Sequence, residues 1–324
     1  MIQAIRIERF GGPEVLLLQP IEVGEPGESQ VRVAHSAIGL NMVDTYYRSG
    51  LYPLSLPTGL GAEAAGAVVS VGPGVSTLKA GDRVVYAAAP PLDAYSEERI
   101  IDAKWLVKLP EEIDARLAAA MMLKGLTSWF LLMRSYPVRS GDSILLYAAA
   151  GGVGLIAAQW AAQLGARVIG VVSTEQKRML ALQHGCDEVL LADENIVERV
   201  RALTDGKGVA AVYDSIGRDT FYQSLDCLRP HGVMVSFGNA SGPVEPFAPL
   251  ELLKRGSLYV TRPTVYDFIA TAAELAAAAA ALFDMVATGR ISIEIMQEFA
   301  LGDVAEAHRQ LEQRLTSCCT VLLP

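Results

Sequence analysis

Cysteine is scarce in this chain. Cys186, Cys227, Cys318 and Cys319 are the only four among 324 residues, and none precedes position 186. They form no spaced disulfide framework, and free thiols in a reducing compartment are the expected state. Histidine is as rare. His35, His184, His231 and His308 stand far apart, offer no ligand pairing, and read as packed or surface side chains. No Lys/Arg-rich run occurs and the formal net charge is −9, which argues against a nucleic-acid footprint. Gly-x-Ser-x-Gly is missing, and no Cys/His pair is placed for acyl transfer. The first ten residues carry Arg6, Glu8 and Arg9 without an apolar stretch, so no signal peptide is expected and the expected location is cytoplasmic.

Charge is also absent from Ser143 to Ala166, as it would be in a membrane span. Three glycines interrupt that run at its centre, so it reads as a buried strand followed by a helix. Ile144-Leu145-Leu146-Tyr147 runs into Ala148-Ala149-Ala150-Gly151-Gly152-Val153-Gly154, a helix is expected to about Leu164, and a second strand covers Arg167–Ser173. This is a βαβ unit whose turn, Ala149-x-Gly151-x-x-Gly154, stands where dinucleotide-binding proteins carry three glycines. A diphosphate needs backbone N–H groups at a helix N-terminus and no bulky side chain in its way. In that strand–turn–helix context the glycine pattern is a strong signal.

The end of the second strand bears on the cofactor. NAD-binding units place Asp or Glu there to accept from the ribose 2′-OH. Here the residues are Ser173 and Thr174, followed by Lys177 and Arg178, which suit a 2′-phosphate. NADPH is the expected cofactor.

Half the residues are hydrophobic, enough to fill the cores of two ordinary domains. Residues 1 to about 122 hold short strand signals at Ile2–Ile7, Gln30–Ala37, Ala65–Val71, Arg83–Tyr86 and Trp105–Leu109, punctuated by glycine turns. They predict a compact β-barrel-like domain. A helix from about Asp114 to Arg134 leads to the nucleotide domain. Further strands are expected at Asp187–Leu191, Val209–Asp214, Gly232–Phe237 and Ser257–Val260. After Pro263 an alanine-rich helix carries Leu275, Ala279, Leu282 and Val286 at helical spacing and stops at Gly289. A last strand near Thr320–Leu323 is expected to return to the first domain. The fold class is therefore α/β: a Rossmann-type doubly wound parallel sheet over 123–263, and a discontinuous catalytic domain over 1–122 and 264–324.

The chain resembles the zinc-independent quinone oxidoreductases, the zeta-crystallin group of the medium-chain dehydrogenase/reductase superfamily, from end to end. The resemblance rests on Gly11-Gly12-Pro13-Glu14-Val15-Leu16, Asn41-Met42-Val43-Asp44-Thr45-Tyr46, Arg48-Ser49-Gly50-Leu51-Tyr52-Pro53 and Gly59-Leu60-Gly61-Ala62-Glu63-Ala64-Ala65-Gly66. It continues through Ala80-Gly81-Asp82-Arg83-Val84, the glycine turn, Tyr213-Asp214-Ser215-Ile216-Gly217, Ser236-Phe237-Gly238-Asn239 and Gly256-Ser257-Leu258-Tyr259-Val260-Thr261-Arg262-Pro263. It implies a GroES-like β-barrel as the catalytic domain. The zinc-dependent members hold their metal with Cys and His. Here Ala62 stands where their histidine would, no cysteine lies near Asn41, and the four cysteines of their structural lobe are absent. No metal is expected.

Without a metal the substrate must accept hydride readily, as a quinone does, with hydrogen-bond donors near the developing oxyanion. Tyr46, Tyr52 and Asn41 are the candidate donors, with Arg262 from the far side. The resemblance places Asn41, Asp44 and Tyr46 at the nicotinamide end, and Thr127 of Lys124-Gly125-Leu126-Thr127 beside the cofactor cleft. The glycine turn itself puts Ala150, Gly151, Gly152, Val153 and Gly154 at the diphosphate, and the end of the second strand puts Ser173, Thr174 and Lys177 at the 2′-phosphate. Ser215, Phe237, Gly238, Asn239 and Arg314 complete the expected cofactor set. One departure is Ala192, where bacterial members carry a Tyr that packs on the adenosine. Two other activities fit the same residues: reduction of activated alkenes such as enones, and a crystallin-like or RNA-binding role in which bound cofactor serves stability. A homodimer through the Ser257–Val260 edge strand is expected, with no membrane partner.

Overall fold

The computed structural model describes all 324 residues, Met1–Pro324. Strands β1 (Ile2–Ile7), β2 (Leu17–Ile21) and β3 (Gln30–Gly39) lead into helix α1 (Met42–Ser49). Then come β4 (Thr58–Gly59), β5 (Glu63–Val71), β6 (Arg83–Ala87), β7 (Glu98–Asp102), β8 (Val107–Lys108) and α2 (Ala115–Phe130). Strands and helices next alternate: β9 (Ser143–Tyr147), α3 (Gly152–Gln163), β10 (Arg167–Val172), α4 (Glu175–Gln183), β11 (Glu188–Leu191) and α5 (Ile196–Leu203). The alternation continues with β12 (Val209–Asp214), α6 (Phe221–Cys227), β13 (Leu228–Ser236), α7 (Leu250–Lys254) and β14 (Tyr259–Thr261). Helix α8 (Ala272–Ala287), β15 (Ile295–Ala300), α9 (Val304–Glu312) and β16 (Cys319–Leu323) close the chain.

Two compact units result. The first comprises Met1–Lys124, Ile269–Ala287 and Ile293–Pro324; the second comprises Gly125–Phe268 and Thr288–Ser292. The placement of the short piece ending at Ser292 has a local cause. Gln159 Oε1 accepts from the Ser292 N–H at 2.9 Å, and Gln159 Nε2 donates to the Ser292 carbonyl at 3.0 Å.

The second unit is a six-stranded sheet in the order β11-β10-β9-β12-β13-β14, with every pairing parallel. Its central strands are apolar on both faces: Ile144, Leu145, Val168, Ile169 and Val212 are fully buried, as a sheet covered by helices requires. The order reverses at β9, so the turns leaving β9 and β12 open at the switch point on the carboxyl edge, where such sheets bind ligands.

In the first unit, β2-β1-β4 forms one small sheet and β15-β16-β3-β5-β6-β8 the larger one, with β7 also paired to β3. Strand β16 lies antiparallel to β3, with Val321 opposite Gly39. Ile5, Val33, Ile38, Leu60, Tyr86 and Tyr95 fill the core. Helix α1 starts at Asn41, whose N–H donates to Asp44 Oδ2 at 2.9 Å, and ends at Gly50, whose φ of 82° is the left-handed C-cap conformation.

The helical stretch Ala115–Ser135 is long and apolar enough to cross a membrane, but 72% of its apolar window is buried inside the protein. Some expected elements shift. Trp105 belongs to a 3-10 turn and only Val107–Lys108 of that signal is strand. Ser257 has φ 56°, so the strand expected there begins only at Tyr259. Strands β2, β4, β7 and β15 were not expected. All four cysteines are free and buried.

Candidate functional site

In the second unit the site is backbone. No side chain caps the N-terminus of α3 at Gly151, so the first-turn N–H groups of the helix are available to an anion. A Cβ at Gly154 would stand 2.2 Å from the Ala148 carbonyl oxygen, which is why the helix can start so close to the strand. Ala150 is buried beneath this turn, while Gly151, Gly152 and Val153 are half-buried.

The neighbouring strand ends supply the rest. Ser173 and Thr174 are exposed after β10, and Thr174 Oγ1 accepts from the Lys177 backbone N–H at 3.3 Å as the N-cap of α4. Arg178 is a correction to the pair of cations expected there. Its guanidinium donates to Glu175 at 2.8 Å and Glu194 at 2.6 Å, so its charge is already neutralised. After β12, the fully buried Asp214 holds the loop in shape. Its Oδ1 accepts from the Ile216 and Gly217 N–H groups, and its Oδ2 from the hydroxyls of Thr220 and Ser224. That loop carries Ser215, and Phe237, Gly238 and Asn239 follow β13 beside it, with the Ala240 N–H donating to the Ser215 carbonyl. Arg262 is exposed beyond β14 and donates to the Pro263 carbonyl at 3.0 Å. Thr127 lies half-buried on α2 and Ala192 is exposed after β11.

In the first unit the site is built from buried side chains. Glu63 is fully buried; its Oε1 accepts from Lys124 Nζ at 2.7 Å and Asn41 Nδ2 at 2.8 Å, and its Oε2 from the Leu123 N–H. This corrects the donor role expected of Asn41. Its amide nitrogen is turned to Glu63 and, at 3.4 Å, to the Gly39 carbonyl. A developing oxyanion would find no donor on it.

Asp44 is fully buried, and its Oδ2 accepts from the Asn41 N–H and from the Tyr95 hydroxyl, both at 2.9 Å. Arginine only donates, so the 2.9 Å contact of Arg48 makes His308 Nδ1 the acceptor and puts the histidine proton on Nε2, toward the Tyr95 oxygen at 3.1 Å. Burial pushes the Asp44 carboxyl up to about 7, against the Tyr95 and Asn41 hydrogen bonds. Burial, then the Arg48 charge, lowers His308 to about 3. Neither histidine nor Tyr95 was expected to matter here. Only their burial in three dimensions joins them.

Tyr46 is buried and packs edge-on against Tyr52 at 5.4 Å between ring centroids, and Tyr52 does the same with Tyr47. The structure thus brings Asn41, Asp44, Tyr46 and Tyr52 into one unit around α1. Arg314 is exposed in the same unit, in the left-handed region at φ 60°.

Two family models match. The alcohol dehydrogenase GroES-like domain covers residues 27–111 and the zinc-binding dehydrogenase model residues 152–286. The quinone oxidoreductase of Pseudomonas aeruginosa is 52% identical over the full length of both chains. The chain belongs to the quinone oxidoreductase family. This family lies within the medium-chain dehydrogenase/reductase superfamily. A 2-haloacrylate reductase from a Burkholderia species is 42% identical over 100% of this chain and 99% of its own. The structure of the Escherichia coli quinone oxidoreductase complexed with NADPH superposes with a TM-score of 0.97 at 48% identity, over 99% of this chain and 100% of that one. The zinc in one model's description finds no ligands in this member, where no three His, Cys, Asp or Glu side chains gather. Position 62 is alanine, and Glu63 beside it is held by Lys124.

Proposed function

We propose that this oxidoreductase carries hydride from NADPH to a quinone without a metal. The observation that carries the reading is the uncapped, glycine-bearing start of α3 at the switch point of the parallel sheet, in a chain matched along its whole length by quinone oxidoreductases. The residues fit a dinucleotide: α3 offers N–H groups to the diphosphate, and Ser173 with Lys177 offers donors to a 2′-phosphate. In the second unit we assign Thr127, Ala150, Gly151, Gly152, Val153, Gly154, Ser173, Thr174, Lys177, Ser215, Phe237, Gly238 and Asn239 to the cofactor, with Arg262 toward the acceptor. In the first unit we assign Asn41, Tyr46 and Arg314 to the cofactor and the Tyr46 and Tyr52 hydroxyls to the reducible carbonyl. Asp44, sealed from solvent, serves by holding Asn41.

NADPH supplies the hydride when bound. The two tyrosines would donate hydrogen bonds to the oxygen that gains negative charge. Hydride transfer to a quinone would leave the delocalised anion of an aromatic hydroquinone, and a proton taken up from solvent would complete the product.

The test is a steady-state panel of quinones and enones with NADPH. Quinones turning over with the higher kcat/KM supports the reading, and no quinone turnover overturns it. The 2-haloacrylate reductase relative gives activated alkenes a specific claim as the second reading, and preference for them in the same panel would establish it.

We further propose a cytoplasmic homodimer joined through β14. That strand ends the sheet, and Tyr259, Leu250 and Leu253 are exposed at 60%, 54% and 65%. Tyr259→Pro removes a ladder donor and should give monomers in sedimentation; unchanged dimers would place the interface elsewhere.

A further inference from the structure

We infer that Glu63 is a positioning residue that turns the side-chain amide of Asn41, so that Asn41 meets the bound cofactor as a hydrogen-bond acceptor. The inference rests on the NADPH-dependent reading above. Paired with the Lys124 ammonium at 2.7 Å, the carboxylate of Glu63 accepts and has nothing to donate. An asparagine amide 2.8 Å from Glu63 Oε1 must therefore present its NH2 group there, and its carbonyl oxygen points away from Glu63. The Asp44 N–H goes to the Asn41 backbone carbonyl at 3.1 Å, so it makes no claim on Asn41 Oδ1, which carries two acceptor lone pairs.

The arrangement is over-determined. Lys124 and the Leu123 N–H hold both carboxylate oxygens in a fully buried position. Gly39 is required beside it, because a Cβ there would stand 2.2 Å from Glu63 Oε1 and 2.2 Å from the Ala119 carbonyl oxygen. Asn41 N–H is in turn fixed by Asp44 at 2.9 Å. Neither end of Asn41 is free to rotate, and 7% of the residue still reaches solvent.

An acceptor at this point selects its ligand by chemistry. A quinone carbonyl, or the oxyanion it becomes, has no hydrogen to give. The donors on offer are the ribose hydroxyls and the carboxamide N–H of the dinucleotide. Asn41 therefore serves the cofactor, and Glu63 acts through it.

Dissociation constants for NADPH, read from dihydronicotinamide fluorescence without turnover, test this in wild type, Asn41→Ala, Glu63→Gln and the double variant. Asn41→Ala should weaken binding about three- to tenfold, the range for one hydrogen bond. Glu63→Gln should weaken it by a similar factor, and in the Asn41→Ala background it should add nothing. In turnover, KM for NADPH should rise in Asn41→Ala while KM for the quinone holds. Equal effects of Glu63→Gln in both backgrounds would overturn the inference, as would wild-type affinity in Asn41→Ala. Wild-type protein that fails to bind NADPH would overturn the functional reading as well, whereas binding without the coupling leaves that reading standing.

Should Glu63→Gln fail to fold, the wild type alone decides. The chain has only three asparagines, Asn41, Asn195 and Asn239, so selective 15N labelling resolves the Asn41 NH2 signals by NMR. They should exchange slowly with solvent and stay in place on addition of NADPH. Rapid exchange, or a large shift on binding, would mean that the NH2 group faces the ligand.

Discussion

The two units present their candidate residues in opposite ways. The second uses backbone: an uncapped helix start, a glycine where no Cβ fits, and a loop whose N–H groups are pinned by Asp214. The first uses side chains removed from water, with Glu63, Asp44, Tyr95, His308 and Arg48 bonded to one another or to α1. A phosphate has the same charge in every dinucleotide, so a fixed row of N–H groups suffices for it. Orienting a reacting ring demands particular donors and acceptors at particular points, which only side chains supply, and burying them makes every partner obligatory.

The contrast breaks first at Gly154. Gly154→Val places a branched side chain where even a Cβ is 2.2 Å from the Ala148 oxygen. It should cost about 1–3 kcal/mol of stability from overpacking and, by displacing the turn, on the order of a hundredfold in kcat/KM. Thermal unfolding and NADPH kinetics measure the two separately. Loss of stability with unchanged KM would show that the turn is merely a tight connection.

Lys177→Ala sharpens the comparison, because Lys177 is the charged side chain assigned to the backbone-built half. KM for NADPH should rise about ten- to a hundredfold, the worth of a charge-assisted hydrogen bond in a partly dry site. NADH kinetics should stay almost unchanged, since the 2′-phosphate is missing there. Equal losses with both cofactors would move the lysine to the diphosphate or the fold.

What was legible in the sequence follows the same division. The βαβ unit, its turn and the parallel sheet were readable because each is set by neighbours in the chain: an apolar run, three glycines, another apolar run. Glu63 and Lys124 are 61 positions apart and Tyr95 and His308 are 213 apart, so no spacing rule could pair them. His308 looked like an ordinary packed histidine for that reason. Strand β15 escaped because only alternate residues of it are half-buried, and Gln297 and Glu298 interrupt the apolar pattern at its middle. Arg178 was misread because Glu194, its partner, comes from the turn after another strand.

A subtler break concerns protons. Asp44, raised to about 7, stabilises the fold at low pH, and that contribution is lost as pH climbs from its ordinary value near 4 through 7. His308 at about 3 and His35 at about 4, both lowered chiefly by burial, act oppositely: their contribution is present above pH 6.5 and is lost as pH falls below it. Asp44 therefore offsets the histidines between pH 8 and pH 5. Asp44→Asn should steepen the loss of stability on going from pH 8 to pH 5 by on the order of 2 kcal/mol. Urea unfolding at the two pH values decides, and parallel curves for variant and wild type would refute the elevated carboxyl.

The smallest expected effect is none. Prolonged chelator treatment should leave quinone reduction unchanged, because Ala62 cannot bind a metal and Glu63 is already held by Lys124. Activity lost together with stoichiometric zinc would mean that a ligand set forms from residues not gathered here.

The four buried cysteines bear on survival during turnover. Quinones are electrophiles that arylate thiolates, so a quinone reductase is exposed to its own substrates for its lifetime. Burial, the leading cause in each case, pushes Cys186, Cys227 and Cys318 up to about 12 and Cys319 to about 11. At neutral pH the thiolate fraction of each is then on the order of one in ten thousand or less. The chain keeps its sulfur in the protonated form, which such compounds attack slowly.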